Sequence, residues 1–553
     1  MTDRIGPGDP RAAPRAMQRI ALAAILLAVL LGAWLRLHGL SIQVVQDDEW
    51  HAIHKLLDSD YAGIFRTFGF ADHSIPLTLL YKAMAGTIGL DEVDMRIVQV
   101  ACGVATIGVA AWLAWRVTAN AAIGGLLAFL VAGAPFHVLY SRVARPYAIT
   151  TLLVVLALAL LWRWKVRRTW SLAAAICALA ALAAWLHPLS ALFPLAGVLF
   201  VVSGDIDERG PARARALLTS TLLAIAAIVA IVAPLAAPLL NDFGSLSAKA
   251  GNSRPDLYTL WRMASLFAGG LPDPLTLVVL LVAAFGAWRF WRTQRSLGAY
   301  LIFVALAPIM VVMALRGLWA HQGHTFARYV FPVQLALLFW FSLGAVELAK
   351  RLIARVTPLA ELGVAAALVA AYLWINPAIV QVLTLGPWYG HIYHTFDYVL
   401  AHNRAALYYN GATPPDFYRK LGAMPPGSAP IVEAPFSFMA PWNPLAFYAQ
   451  FHRQPERLGL LHDLCLAGPR FGEPPRDPRF RFRSFVFLDD RAAVLATGAR
   501  YLLLHRQYLN DRRFEESDRC LAGLKRIYGE PVEIDERLAV FDLRRLDTPR
   551  KLQ

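Results

Sequence analysis

A chain of 553 residues that is 58% hydrophobic and only 16% charged falls well below the roughly 25% charge of an average soluble domain, which excludes a single water-soluble globule. Its formal charge of +15 lies mostly beside apolar runs, and no nucleic-acid-binding motif accompanies it, so topology explains the basic residues better than a nucleic-acid partner does. Apolar runs near the ~20 residues that cross a bilayer continue to about Asn376; beyond it the composition is that of a soluble domain.

The first run, 20–38, follows Arg4, Arg11, Arg15 and Arg19. No small-residue cleavage site comes after it, so it reads as an uncleaved first span behind a cytoplasmic tail over 1–19. Further runs at 97–115, 120–138, 146–163, 170–186, 188–203, 216–239, 272–288, 298–315, 329–349 and 358–376 bring the expected number of transmembrane helices to about eleven. With the N-terminus inside, the short inner segments hold Arg116, the block WRWKVRR (162–168), Arg209 to Arg215, Arg289 to Arg295, and Lys350 to Arg355. The acids Asp47, Asp48, Glu49, Asp58, Asp60, Asp72, Asp91, Glu92 and Asp94 gather in the first outer segment, about 39–96. That segregation obeys the positive-inside rule.

A weaker run, 75–89, would reverse everything downstream if it crossed, and would put WRWKVRR outside. With Lys82 in its middle it reads as an interfacial helix. The expected fold class is therefore a multi-span α-helical membrane protein, with its membrane domain over 20–378. A C-terminal α/β domain over 379–553 would be extracytoplasmic, with strands in APIVEAP (429–435), RSFVFL (483–488), ARYLLLHR (499–506) and RLAVFDLR (537–544). Cys102 and Cys177 fall inside spans. Cys465 and Cys520 fall in that domain, as a disulfide or as two thiols.

Four segments carry chemistry. In QDDEWH (46–51), crowded carboxylates beside a membrane repel one another, which raises a carboxyl pKa toward the range of a general base; the plain alternative is a solvated acidic loop. FADHSIPLTLLYK (70–82) brings Asp72 and His73 to the start of a helix, where His73 is an acid–base group, a metal ligand or a helix-start hydrogen bonder. In YSRVARPYAITTLL (140–153) and RGLWAHQGHTFARYVFP (316–332), Arg142, Arg145 and Arg328 breach the positive-inside rule, next to Tyr147 and Tyr329. Guanidinium groups at that depth suit a phosphate, or else snorkel to lipid headgroups. Arg36, at the end of the first span, adds a cation at the same level. The pair His321 and His324 lacks a third ligand nearby in sequence, and a divalent cation stays open as cofactor. Acids and arginines on one membrane face fit transfer of a glycosyl group from a lipid phosphate, and equally fit other outer-face transferases.

The ordered set resembles the glycosyltransferase-C superfamily, of the protein O-mannosyltransferase and aminoarabinose-transferase type. It comprises Asp48-Glu49 after the first span, DHSIPL (72–77) where the family more often has HPPL, the YSRxARPY-like motif from Tyr140 to Tyr147, and Arg-Tyr-x-x-Pro from Arg328 to Pro332. The resemblance covers nearly the whole membrane portion, and the tail resembles those of bacterial members. It implies a polyprenyl-phosphate sugar donor and a hexosyl or pentosyl group transferred with inversion, in a bacterial inner membrane with a periplasmic C-terminal domain. Asp48 maps onto the family's catalytic aspartate and Glu49 onto its neighbour, while the extra Asp47 leaves the base open by one position. Arg142, Arg145, Arg328 and Tyr329 become donor-phosphate or site-shaping residues. The acceptor, whether lipid, glycan or protein, is not implied. A polytopic transporter or lipid-carrier flippase is the rival reading, although few ionisable residues lie mid-span and no repeat is visible.

Overall fold

The computed structural model describes residues 15–41, 49–69, 74–206, 212–352, 358–375, 415–435, 452, 454–466, 476–483, 485–506 and 514–546. The chain divides into two compact units. One comprises Met1–Leu37, Lys55–Leu80 and Arg96–Ile379, the other His38–His54, Tyr81–Met95 and Val380–Gln553.

The helices begin with α1 (Arg15–Leu37), the short α2 (Trp50–Asp58), α3 (Tyr61–Arg66) and α4 (Ile75–Thr87), and the long α5 (Glu92–Thr118). There follow α6 (Ala121–Gly133), α7 (Pro135–Ser141), α8 (Tyr147–Trp164), α9 (Trp170–Leu186), a 3-10 turn (Pro188–Ala191) and α10 (Leu192–Ile206). The series continues through α11 (Ala212–Val232), α12 (Ala236–Ser247), α13 (Leu257–Phe267) and α14 (Asp273–Thr293). It closes with α15 (Arg295–Leu315), α16 (Gly323–Tyr329), α17 (Val333–Leu352) and α18 (Pro358–Ile375).

Each of the eleven apolar runs falls on a helix. Among the described residues 8 helices are long and apolar enough to cross a membrane, and α6 with α7, bent by 59°, makes up to 9. The other two, α9 and α18, are shorter apolar helices. At 13 residues, α4 is too short to be a full span. The last long span starts at Val333 rather than at 329, because Arg328 and Tyr329 close α16 and Pro332 stands before α17.

Local chemistry sets the breaks. Asn120 caps α6 by accepting from the N–H groups of Ala122 and Ile123 at 2.9 and 3.3 Å. Pro135 has no N–H to continue the ladder of α6 and disfavours a helical residue before it, so the chain turns at Ala134 and restarts as α7. Where α14 crosses α17, a Cβ on Gly286 would overlap the carbonyl of Trp340, and one on Gly344 that of Val282; only glycine lets the two backbones come this close. The far ends of these helices carry the basic residues. There Arg289 pairs with Glu347 at 3.2 Å, Lys350 with Glu347 and Glu361 at 3.4 Å each, and Asn120 donates to Glu361 at 2.8 Å.

The second unit holds a six-stranded sheet of order β3-β2-β1-β4-β6-β5. Its strands are β1 (Ile431–Ala434), β2 (Glu456–Leu460), β3 (Phe485–Phe487), β4 (Tyr501–His505), β5 (Glu533–Ile534) and β6 (Leu538–Asp542). The first four run parallel, and β6 and β5 add antiparallel. Four strands lie where the apolar runs predict them. The strand β2 was not foreseen, since Glu456 and Arg457 interrupt its apolar pattern, and β5 has two residues. On one face α19 (Asp416–Gly422) packs Phe417, Tyr418 and Leu421 against Ile431, Leu503 and Val540. On the other, α20 (Arg491–Ala496) contributes Val494 and α21 (Phe514–Tyr528) Leu521, Leu524 and Tyr528, against Val432, Leu502 and Phe541. A Cys465–Cys520 disulfide joins the segment after β2 to α21. Part of the first long loop belongs to this unit: Leu90 forms a bridge with Phe480, flanked by backbone hydrogen bonds to Arg479 and from Arg481 at 2.8 and 2.9 Å.

Under α19 this unit buries Tyr418, Glu433, His452, Glu456 and His505. The Tyr418 hydroxyl bonds Glu433 and lies 2.7 Å from Nε2 of His505. Burial, and then the neighbouring Glu456, holds the Glu433 carboxyl well above the ordinary range; burial raises Glu456 too. Burial pulls His452 down to about 3, and burial followed by Arg537 and His452 does the same to His505.

Candidate active site

In an antiparallel bundle the C-terminal ends of α1, α7 and α9 and the N-terminal ends of α8, α10 and α17 share one end. Arg36, Arg142, Arg145, Tyr147, Arg328 and Tyr329 all belong to that end, and the structure brings them into two adjoining groups.

The first group is a clamp. Arg36 is fully buried and directs its donors at protein acceptors. Nε donates to Ser141 Oγ at 3.1 Å, Nη1 to the carbonyls of Gly32 and Ala132 at 2.9 and 3.0 Å, and Nη2 to the Val131 carbonyl at 3.4 Å. Nη2 also lies 2.9 Å from His137 Nδ1. The Val131 carbonyl is the one that an N–H at position 135 would have served, and Pro135 has none. Arg36 thus satisfies the carbonyls that the α6–α7 break leaves without helix partners. The sequence put it with the phosphate contacts; its N–H groups are committed to this break and to the Gly32 carbonyl of α1. Arg142 does related work, donating from Nη1 to the Leu35 carbonyl at 2.7 Å, at the end of α1. Burial, and then Arg96, pulls its guanidinium down to about 9, still above neutrality.

The second group centres on a residue that sequence reasoning missed. His187 stands in the break between α9 and the following 3-10 turn. Its ring stacks on Tyr329 with centroids 5.9 Å apart and meets Tyr147 edge-on at 5.3 Å. The Arg145 guanidinium lies over Tyr147 at 5.9 Å, and that of Arg328 over Tyr329 at 5.6 Å. Burial, then Arg145, then Arg328, drives His187 down to about 3, so it is neutral at physiological pH and feels both cations. Tyr140 joins the same aromatic lattice, 4.9 Å from Tyr147 and 5.6 Å from Phe331. The available signal was a lone His-Pro step between two apolar runs, on the same side as the arginines.

An apolar cavity of about 210 Å³ is lined by the bundle helices. It extends from Phe193 and Pro332, near the cluster's end, past Leu158, Tyr300 and Phe339 to Val117 at the opposite end.

The acidic candidates divide differently. Glu49 is buried, just before α2. Asp47, Asp48, Asp72 and His73 lie outside the described residues. Asp242, at the kink in α12, accepts from the N–H groups of Phe68 and Gly69 at 2.7 and 3.0 Å. Among the described residues no group of three or more His, Cys, Asp or Glu side chains could hold a metal ion. His321 is engaged instead by Ser253, whose Oγ lies 3.2 Å from its Nδ1.

No protein-family model matches the chain, and no curated protein matches it. Among solved structures it is similar to ArnT from Cupriavidus metallidurans in the apo state, with 14% identity and a TM-score of 0.46 over 97% of this chain and 100% of that one. It is also similar to the same ArnT bound to undecaprenyl phosphate, with 15% identity and a TM-score of 0.40 over 97% and 100%. A third likeness is to the arabinosyltransferase EmbB from Mycobacterium smegmatis, with 15% identity and a TM-score of 0.36 over 71% of this chain and 43% of that one.

Proposed function

We propose that this protein is a membrane glycosyltransferase that moves a sugar from a polyprenyl-phosphate donor to an acceptor at the outer membrane face. The observation that carries the reading is the convergence of Arg145 and Arg328 near His187, each over a tyrosine that meets its ring, at the end of the bundle where the apolar cavity passes Pro332. Guanidinium groups recognise phosphate oxygens, and an apolar cavity suits an isoprenoid tail. A lipid phosphate needs both within a few ångströms.

In the proposed reaction an acceptor hydroxyl or amine attacks the anomeric carbon from the side opposite the phosphate, and the configuration inverts. Asp48 takes the acceptor's proton; Glu49 and Asp47 are its neighbours in the acidic pair and triplet. The bond from the anomeric carbon to the phosphate oxygen breaks, and its electron pair leaves on polyprenyl phosphate. Charge arranged in advance around the oxygen where negative charge grows supplies most of the rate gain. Asp72 and His73 join the acceptor side, and Tyr147 and Tyr329 hold the arginines. The Cys465–Cys520 disulfide supports an oxidising compartment for the C-terminal unit, hence a C-terminus outside and an N-terminus inside the plasma membrane of a bacterium.

The test is transfer from synthetic polyprenyl-phosphate sugars by the purified protein in liposomes. Asp48→Asn is expected to insert normally, bind polyprenyl phosphate and lose transfer by at least ~100-fold, as removal of a general base does. A flippase would move labelled lipid across the bilayer in both forms. Unchanged transfer by Asp48→Asn would remove the assigned base.

A further inference from the structure

The backbone of His187 is tightly determined. Its N–H closes α9 on the Ala183 carbonyl at 3.0 Å, its carbonyl accepts from Ser190 at 2.9 Å, and Pro188 follows it. The ring is positioned by the Tyr147 and Tyr329 rings. The titratable groups facing it are Arg145 and Tyr147, from the segment entering α8, and Arg328 and Tyr329, from α16. A neutral imidazole always keeps one N–H donor, and the contacts of this ring are with the two tyrosine rings.

We propose that His187 is a phosphate contact of this site, whose imidazole N–H is directed at the phosphate collected by Arg145 and Arg328 and binds more strongly as that phosphate gains charge. This rests on the phosphate-site reading above and deepens it. The donor is a diester with one negative charge; the departing monoester carries two near pH 8, its second ionisation lying at about 6. A donor aimed at an oxygen that becomes more negative during transfer stabilises the departing state more than the bound donor. Burial and then the two cations keep the imidazole neutral, so it meets the phosphate as a hydrogen-bond donor rather than as a third cation.

The experiment measures binding to the full-length protein in lipid nanodiscs at about pH 8, where the monoester is the dianion. The probes are farnesyl phosphate, a monoester, and its methyl ester, a diester. His187→Phe keeps a ring between the two tyrosines and removes the N–H. It is expected to weaken farnesyl phosphate about tenfold or more, the usual effect of losing a hydrogen bond to a charged group, and to weaken the methyl ester several-fold less. His187→Gln restores an N–H and is expected to recover most of the loss. Wild-type affinity for farnesyl phosphate in the Phe variant, or equal losses for both probes, would overturn the proposal. Arg145→Gln and Arg328→Gln separate it from the reading beneath it. If those variants also bind as wild type, the phosphate site itself is wrong; if they lose binding while His187→Phe does not, only the role of His187 falls.

Discussion

The membrane unit and the C-terminal unit both bury a cluster of titratable side chains, and they compensate the burial by different physics. The membrane unit buries guanidinium groups at one end of its bundle. A guanidinium does not give up its proton in the physiological range, so each buried one needs acceptors, and Arg36 finds two of them at the carbonyls of a broken helix. The C-terminal unit buries two carboxyls and two imidazoles against Tyr418, all of which can shed their charge. There the solution is neutrality: the carboxyls are pushed toward their protonated form and the histidines held deprotonated. A cluster of permanent charge is a standing field for an anion. A cluster of labile charge is a structural core whose strength follows pH.

The comparison breaks first at Arg36. Replacing it by Met removes donors from several buried acceptors at once, and is expected to cost on the order of 3–5 kcal/mol, read as loss of the folded fraction and of melting temperature in detergent. A loss below about 1 kcal/mol would mean that water serves those carbonyls and that the clamp is dispensable.

Next comes the covalent tie. The double substitution Cys465→Ser with Cys520→Ser opens a loop of sequence separation 55 and is expected to cost about 2–4 kcal/mol. Hydrogen exchange in the full-length protein should rise in β2 and α21 while the bundle helices keep their protection. Equal loosening of both units would show that they do not unfold independently.

The smallest effect is the most diagnostic. A carboxyl whose folded pKa lies above its unfolded value of roughly 4.3 binds its proton more tightly in the native unit, so it withdraws stability as pH rises from there through the folded pKa. A histidine held at about 3 against roughly 6.5 unfolded withdraws stability as pH falls through that interval. Between about pH 4.3 and 6.5 the two trends oppose each other and the contribution is nearly level; it declines on either side. Glu433→Gln removes one labile carboxyl while keeping its shape. It is expected to stabilise the C-terminal unit more near pH 8 than near pH 4, where the carboxyl is largely protonated in both states, measured by hydrogen exchange of β1 and β2. A gain of equal size at both pH values would rule out titration as the cause.

Periodicity made the spans legible because lipid demands long apolar helices and places cations at one side. Four strands of the sheet were legible as short apolar, β-rich runs. The gaps have causes: β2 carries Glu456 inside a parallel sheet, where a charged residue argues against a buried strand until burial is seen to push it toward its protonated form. Arg142, Arg145 and Arg328 stood out because they break a charge rule. His187 breaks none, and a lone histidine beside a proline has many ordinary explanations.

Composition and spacing by themselves determined the membrane class, the breaks between spans and the end of the bundle at which cations collect, since each follows from the transfer of local segments between water and lipid. Only the tertiary structure decided which cations serve the fold and which face one another. Arg36 and Arg145 are indistinguishable as residues near span ends, and they part company because one meets the open carbonyls of the α6–α7 bend while the other meets Tyr147 and His187. Hydrogen-bond satisfaction between segments about 100 residues apart is a property of packing, and no local pattern encodes it.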